Sequence, residues 1–378
     1  MKIKDIRILP LTQEVFHGES TQGRLPGNNV HTLIEVITDQ GVTGMGSVYT
    51  SGKLVDGSLD VLRPMLIGEL AIEPARVSEM LHQGTFWQGR GGAITHTISG
   101  IDIALWDIFG KVTRQPVSRL LGGCYRERIK PYGSLSMSRK NWIAQIHDNV
   151  ARGFRAIKIG WGGFGRVSPK QDEDAVAAAR EAAGPDVELM VDAGASGRYW
   201  PHGYKWALNT AHMLHNYNVA LFEEPLRPDD MEGYIQLTEH APLPISGCEV
   251  LTRRQAFKPW IEGRAVDYIQ PDTTKVGGLT EAYRIAMQAY DHAILTVPHG
   301  WNTAVGLVAD MHLMAAIPEA RWVEYLTPTP LIEALIETPF QLDQDGCLTI
   351  PDQPGLGVRW NPEGILKHSG CVLTPSDL

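Results

Sequence analysis

The chain has 378 residues, 43% of them hydrophobic and 20% charged, with a net charge of −9; this is the balance of a soluble globular protein with a large core. No block of Lys or Arg offsets that charge, so the electrostatic footprint of a nucleic-acid binder is missing. No window approaches 18 uninterrupted apolar residues, the opening MKIKDIRILPL lacks a secretory cleavage site, and Cys124, Cys248, Cys347 and Cys371 have no paired spacing; no membrane span, disulfide framework or zinc motif is expected, and the default location is cytoplasmic.

In chain order, the first segment reads as antiparallel sheet. Val30 to Val36 is apolar and β-branched, Asp39-Gln40-Gly41 supplies a turn, and Val42 to Ser47 returns, a hairpin pattern. Apolar positions then recur at helical spacing from about Leu59 to Trp87 and from Ile98 to Val112, with Ser99 as a candidate N-cap. Residues 1–125 are therefore expected to form an α+β unit.

From about Ile129 short apolar strands alternate with longer helical windows. The strands are Arg155 to Ile159, Val187 to Ala193, Val219 to Glu223, Pro244 to Cys248, Val266 to Pro271, Ala293 to Pro298 and Arg321 to Leu326, with helical windows such as Gln171 to Ala183 and Leu279 to Tyr290 between them. This alternation predicts a parallel sheet covered by helices. Each strand ends at or next to one charged or imidazole residue: Lys158, Asp192, Glu223, Glu249, Asp272, His299 and Glu324, spaced 23 to 34 residues apart. A closed barrel gathers all such ends around one mouth, whereas an open sheet offers only a crevice, so residues 126–326 are predicted to form a TIM-type barrel. The tail, 327–378, is too short for a domain and is expected to fold back on the N-terminal unit.

Asp192, Glu223 and Glu249 stand at three successive strand ends. One such Asp is as often a helix N-cap, but three together suit a hard divalent cation with oxygen ligands, Mg²⁺ above all. Strand alternation sends Glu223 and its neighbour Glu224 to opposite sides. Asp272 and His299 form a candidate acid/base pair, the carboxylate fixing the imidazole tautomer. Lys275 is a candidate contact for an anionic substrate.

A strand-end Lys, three acidic ligands, an Asp/His pair and a last-strand Glu, together with SGIDIALWDIFGK at Ser99 to Lys111 and LLGG at Leu120 to Gly123, resemble the mandelate racemase-like branch of the enolase superfamily, over essentially the whole chain. The resemblance implies a modified (β/α)7β barrel with an N-terminal α+β capping domain completed by the C-terminal tail, one Mg²⁺ per subunit held by Asp192, Glu223 and Glu249, and a homo-oligomer of two to eight subunits. It further implies that Asp272 and His299 form the general-base dyad, that Lys158 is the first lysine of the Lys-x-Lys motif, and that Glu324 hydrogen-bonds an enolised carboxylate.

The chain departs from that pattern at Gly160, which takes the place of the second lysine, and at Gly194, where many relatives carry Asn. Glycine takes no proton, so two-base racemisation is disfavoured, and dehydration of a sugar acid with His299 as base is the leading expectation. A cycloisomerase or epimerase acting on a lactone or anhydro-sugar acid through the same enolate, or a noncatalytic sugar-acid binder, is the alternative. Trp161, next to Gly160, His17 in the capping segment Phe16-His17-Gly18-Glu19, and His202 are expected to touch substrate. The loop from Tyr49 to Lys53 is expected to close over the mouth.

Overall fold

The computed structural model describes residues 1–12 and 30–376. Three antiparallel strands, β1 (Ile3–Leu11), β2 (His31–Thr38) and β3 (Thr43–Val48), form a sheet in sequential order. The expected hairpin turn joins β2 to β3, with Gly41 at φ 79°. Four helices follow: α1 (Gly52–Leu66), α2 (Pro74–Gly84), α3 (Gly92–Thr113) and α4 (Val117–Leu121). The helical window at Leu59 to Trp87 is thus two helices, α2 starting on Pro74, a residue suited to a first turn. Ser99 is not a cap. It lies inside α3, where Oγ donates to Thr95 O and accepts from Gly277 N–H. The helix starts seven residues earlier because its apolar face continues through Ile94. Gly46 lets α3 press onto the sheet, since a Cβ there would overlap the Gly100 carbonyl.

The second unit runs β4 (Arg128–Ser136), α5 (Trp142–Arg152), β5 (Ala156–Gly160), α6 (Pro169–Ala183), β6 (Glu188–Asp192), α7 (Tyr204–Asn216), β7 (Val219–Glu223), α8 (Met231–His240), β8 (Ile245–Gly247), α9 (Arg253–Glu262), β9 (Tyr268–Ile269), α10 (Gly278–Asp291), β10 (Leu295–Thr296), α11 (Ala304–Ala316) and β11 (Trp322–Leu326). After it come α12 (Pro330–Glu333), β12 (Leu348–Thr349) and α13 (Pro362–Ser369). The parallel strands run β11-β4-β5-β6-β7-β8-β9-β10, the sheet of a curled α/β barrel. No ladder joins β10 to β11 among the described residues; instead Gly300 N–H donates to Glu324 Oε2 at 2.7 Å across that gap. Seven of these strands match the sequence reading. The eighth, β4, escaped it because Pro131 and Gly133 interrupt its apolar pattern.

Period-two alternation carries the functional residues into the mouth. Tyr132, Ala156, Met190, Leu221, Tyr268, Val297 and Trp322 form one buried cluster, the barrel floor. Two residues beyond five of these come Lys158, Asp192, Glu223, His299 and Glu324, on the same side of their strands.

Helix α3 stitches the two units together. Asp102 accepts from Thr280 N–H and Oγ1 at 2.9 and 2.5 Å, and Trp106 Nε1 donates to Thr280 Oγ1 at 2.9 Å. The tail returns to both units: β12 pairs antiparallel with β4, while Thr374 N–H and Oγ1 donate to the buried Glu35 carboxylate at 2.9 and 2.7 Å. Among the described residues no helix is long and apolar enough to cross a membrane.

Candidate active site

A cavity of about 650 Å³ opens at the barrel mouth, lined by Lys158, Asp192, His299 and Glu324 from the strand ends and by Trp161 and Trp301 above them. Lys158 lies at its base. Its Nζ donates to Glu223 Oε2 at 2.8 Å, pairs with Glu324 Oε1 at 2.9 Å and Asp192 Oδ2 at 3.8 Å, and sits 5.0 Å over the Tyr132 ring. Burial would discharge such an ammonium, yet Glu223 and Glu324 hold its pKa well above the usual lysine value.

His299 Nδ1 lies 2.7 Å from Asp272 Oδ2. Asp272 also accepts from Thr274 N–H and Oγ1 at 2.7 and 2.6 Å, and Lys275 Nζ stands 3.4 Å from Oδ2. Burial alone would raise the Asp272 carboxyl; Lys275 and His299 overcome it and keep the group well below the usual carboxylate range. An ionised Asp272 makes Nδ1 the donor and turns Nε2 the other way. That nitrogen is 3.3 Å from Glu249 Oε2, a charge contact without hydrogen-bond geometry. Against the burial that disfavours imidazolium, Glu249 and Asp272 raise the His299 pKa.

Asp192, Glu223, Glu249, Asp272 and Glu324 are all buried, facing two lysines, Lys158 and Lys275. Burial and mutual repulsion therefore raise Asp192 and Glu223 despite Lys158, because one ammonium cannot neutralise several carboxylates. Glu223 Oε1 and Glu249 Oε2 are buried without a hydrogen-bond partner. As placed, no group of three or more His, Cys, Asp or Glu side chains among the described residues is arranged to hold a metal, and Lys158 is the cation among these acids. The donor set nevertheless fits a hard divalent cation: it is all oxygen, has excess negative charge, and leaves two buried oxygens unsatisfied. Glu224, the neighbour of Glu223, points instead to Ser196, whose N–H and Oγ donate to its Oε2 at 3.3 and 2.5 Å.

Gly160 has φ 143°, and a Cβ there would overlap the Asp192 carbonyl. Gly194, at φ 62°, donates its N–H to Asp192 Oδ1 at 2.7 Å, and a Cβ there would press on the Trp161 ring at 3.2 Å. The two departures from family type are thus linked: both glycines crowd Asp192, and one makes room for Trp161.

Two expected substrate contacts, His202 and Lys275, fall elsewhere. The His202 ring stacks on Trp206 at 4.2 Å and its Nε2 meets Gly165 O at 2.7 Å, outside the cavity lining; a Trp200–Trp206 aromatic cluster captures the imidazole. Lys275 also lies off the lining, between Asp272 and the Tyr49 ring, 4.6 Å from its centroid, so the nearest carboxylate, rather than the cavity, claims it. His17, with Phe16, Gly18 and Glu19, lies outside the described residues. No residue from Tyr49 to Lys53 lines the cavity. Sequence reasoning missed Ser134 and Ser136 at the end of the unrecognised β4, Arg139 just after it, and Lys367 and His368 in the tail, all of which line the cavity. The Ser-Leu-Ser alternation at 134–136 was the available signal for the first group.

A parallel α/β barrel with acids, lysine and an Asp–His pair converging on one cavity is the architecture of a barrel enzyme. The chain belongs to the mandelate racemase/muconate lactonizing enzyme family of the enolase superfamily: residues 141–364 match the family described as "Enolase C-terminal domain-like" and residues 27–122 match the mandelate racemase/muconate lactonizing enzyme N-terminal domain. It is 32% identical to the D-galactarolactone cycloisomerase of Agrobacterium fabrum over 89% of this chain and 90% of that protein, and 30% identical to the arabinonate dehydratase of Saccharolobus solfataricus over 98% and 99%. The 3,6-anhydro-D-galactonate cycloisomerase from Zobellia galactanivorans superposes with a TM-score of 0.86 at 30% identity, covering 97% of this chain and 99% of that one. A racemase from Streptomyces coelicolor solved with bound magnesium superposes at 0.83 and 27% identity, covering 97% and 99%.

Proposed function

We propose that this enzyme removes the proton α to the carboxylate of a sugar acid and expels a β-hydroxyl as water, giving a 2-keto-3-deoxy acid. The carrying observation is one-sidedness: His299 is oriented by Asp272 at 2.7 Å, while Gly160 has no room for a side chain. In this reading His299 Nε2 takes the α proton and returns it to the hydroxyl leaving from the same face, so no second base is needed. Lys158 donates to the substrate carboxylate as negative charge builds there, and being buried and fixed it acts without reorganisation. Glu324 is ionised beside Lys158, so it donates to the enolised carboxylate only once it has gained a proton.

Asp192, Glu223 and Glu249 would hold Mg²⁺, which when bound neutralises charge on the substrate carboxylate. The serine and threonine residues on the cavity lining, Thr12, Ser134, Ser136, Thr327 and Thr329, support a polyhydroxylated substrate, as does the similarity to the arabinonate dehydratase. Cycloisomerisation of a lactone or anhydro-sugar acid, through the same proton abstraction, is the second reading, favoured by the similarity to the D-galactarolactone cycloisomerase.

Incubation with Mg²⁺ and a panel of sugar acids and lactones in D₂O tests both. Keto-acid formation supports dehydration, and a deuterated isomer supports cycloisomerisation. Full turnover by His299→Asn would remove the base assignment.

A further inference from the structure

One face of α3 follows the loop that carries Asp272. Ser99, Asp102 and Trp106, at helical spacing, reach Gly277 and Thr280 at its far end. His96, three residues before Ser99 on the same face, meets the chain just past β3: its Nδ1 lies 3.1 Å from Tyr49 O and 2.8 Å from Thr50 Oγ1. Thr50 is tied to β2, its carbonyl accepting from Thr32 Oγ1 at 2.8 Å. The backbone of Tyr49 is therefore fixed from within the capping unit.

Tyr49 in turn touches both residues that hold the Asp272 carboxylate from its own loop. Its N–H donates to Thr274 O at 3.5 Å, and Thr274 N–H and Oγ1 donate to Asp272 Oδ1. Its ring centroid lies 4.6 Å from Lys275 Nζ, and Lys275 pairs with Asp272 Oδ2. A lysine ammonium is a point charge on a flexible stem. An aromatic face attracts a cation within about 6 Å of its centroid, so the ring on one side and the carboxylate on the other give Lys275 a defined seat. His31 of β2 braces the ring, packing T-shaped against it with centroids 5.2 Å apart. Burial, with Lys275 nearby, lowers the His96 pKa to about 4, so that imidazole is neutral and adds no competing charge. Tyr49 itself is off the cavity lining.

We infer that Tyr49 is a positioning residue for the Asp272–His299 pair, acting from the capping unit through Thr274 and Lys275 and without contact to substrate. The inference rests on the proton-abstraction reading above and deepens it. Asp272 Oδ2 is the atom shared by Lys275 Nζ and His299 Nδ1. A Lys275 that leaves its seat therefore disturbs the very oxygen that orients the imidazole. The seating of the capping unit is in this way coupled to the aim of the base.

Tyr49→Leu removes the aromatic face and keeps the main-chain contact, and Tyr49→Met does the same with a more adaptable side chain. On the Mg²⁺-loaded enzyme, with the sugar acid that the wild type converts fastest, both are expected to lower kcat by about tenfold, as loss of an orienting partner does. KM should change by less than about twofold. Tyr49→Phe, which retains the ring, should stay within about twofold of the wild type. Adding Tyr49→Leu to Lys275→Met should lower kcat no further than Lys275→Met alone, because the two act through one carboxylate. A rise in KM at constant kcat, equal losses in Tyr49→Phe and Tyr49→Leu, or losses that multiply in the double variant would overturn the inference. A second readout needs no substrate: the far-downfield proton of His299 Nδ1–H, assigned by its loss in His299→Asn, should move in Tyr49→Leu and stay in place in Tyr49→Phe. An unmoved resonance in Tyr49→Leu would overturn the inference whatever the reaction. A moved resonance without α-proton exchange from any sugar acid in D₂O would support the positioning and remove the reaction reading.

Discussion

Gly160 stands opposite Asp192 in the β5–β6 ladder, so close that a β-carbon at 160 would overlap the Asp192 carbonyl oxygen. The missing second lysine is therefore more than a lost functional group, because the backbone around it has no place for a side chain.

Gly160→Lys should accordingly fail to create a racemase. Forcing a side chain between β5 and β6, at a φ of 143°, is expected to cost roughly 1 to 3 kcal/mol from overpacking alone and to displace Asp192. Denaturation would report the loss, and NMR of substrate recovered from D₂O would report stereochemistry. A stable variant that epimerises the α carbon would contradict the argument.

Lys275 is expected to act through Asp272 without touching substrate. It lies 3.4 Å from Asp272 Oδ2 and 4.6 Å from the Tyr49 ring centroid. Lys275→Met removes the charge that keeps the buried carboxyl ionised, and kcat should fall by about 10- to 100-fold, in line with other orienting partners, with KM changed much less. A rise in KM at constant kcat would make Lys275 a substrate ligand after all.

Asp310 ties together the loops that carry the Asp–His pair. Its carboxyl accepts from Thr273 Oγ1 at 2.6 Å and Asn302 Nδ2 at 3.2 Å, the first next to Asp272 and the second three residues past His299. Asp310→Ala leaves both donors buried and unpaired, at about 1–3 kcal/mol each. Chemical denaturation should register that loss, and kcat should drop more than the Mg²⁺ affinity measured by calorimetry. An equal drop in both would indicate general collapse of the mouth.

Acid stability should depend on His312. The ring is fully buried on α11, with Nδ1 accepting from Ser118 N–H at 3.2 Å and Nε2 donating to Leu356 O at 3.1 Å. Burial pushes its pKa down to about 4. A histidine depressed in the folded state contributes stability above its unfolded value of about 6.5, and that contribution is lost as pH falls toward 4, on the order of 3 kcal/mol. The apparent Tm of the wild type should therefore fall more steeply than that of His312→Gln between pH 6.5 and 4. Parallel slopes would exclude the assignment.

The barrel was legible because each strand–helix repeat carries one chemically distinctive residue, from Lys158 to Glu324, five of them two positions above a buried floor residue. Strand β4 was not, since Pro131 and Gly133 hide it, and with it went Ser134, Ser136 and Arg139. His202 and Lys275 look alike in sequence, each a basic residue in the loop that follows a strand. Only packing reveals that Trp206 stacks on one and Asp272 pairs with the other. Lys367 reaches the cavity because its neighbour His368 bonds Thr12, more than 350 positions away in sequence, and no local pattern encodes such an approach.

Glu35 has a temporal consequence. It is buried in β2, and its carboxylate is held by Arg7 and by the N–H and hydroxyl of Thr374. During synthesis β2 emerges early, but two of its carboxylate's donors emerge more than 300 residues later. Until then the Glu35 carboxylate lacks two of the donors that hold it in the folded protein. Thr374 thus completes the hydrogen bonding of a strand made more than 300 residues before it.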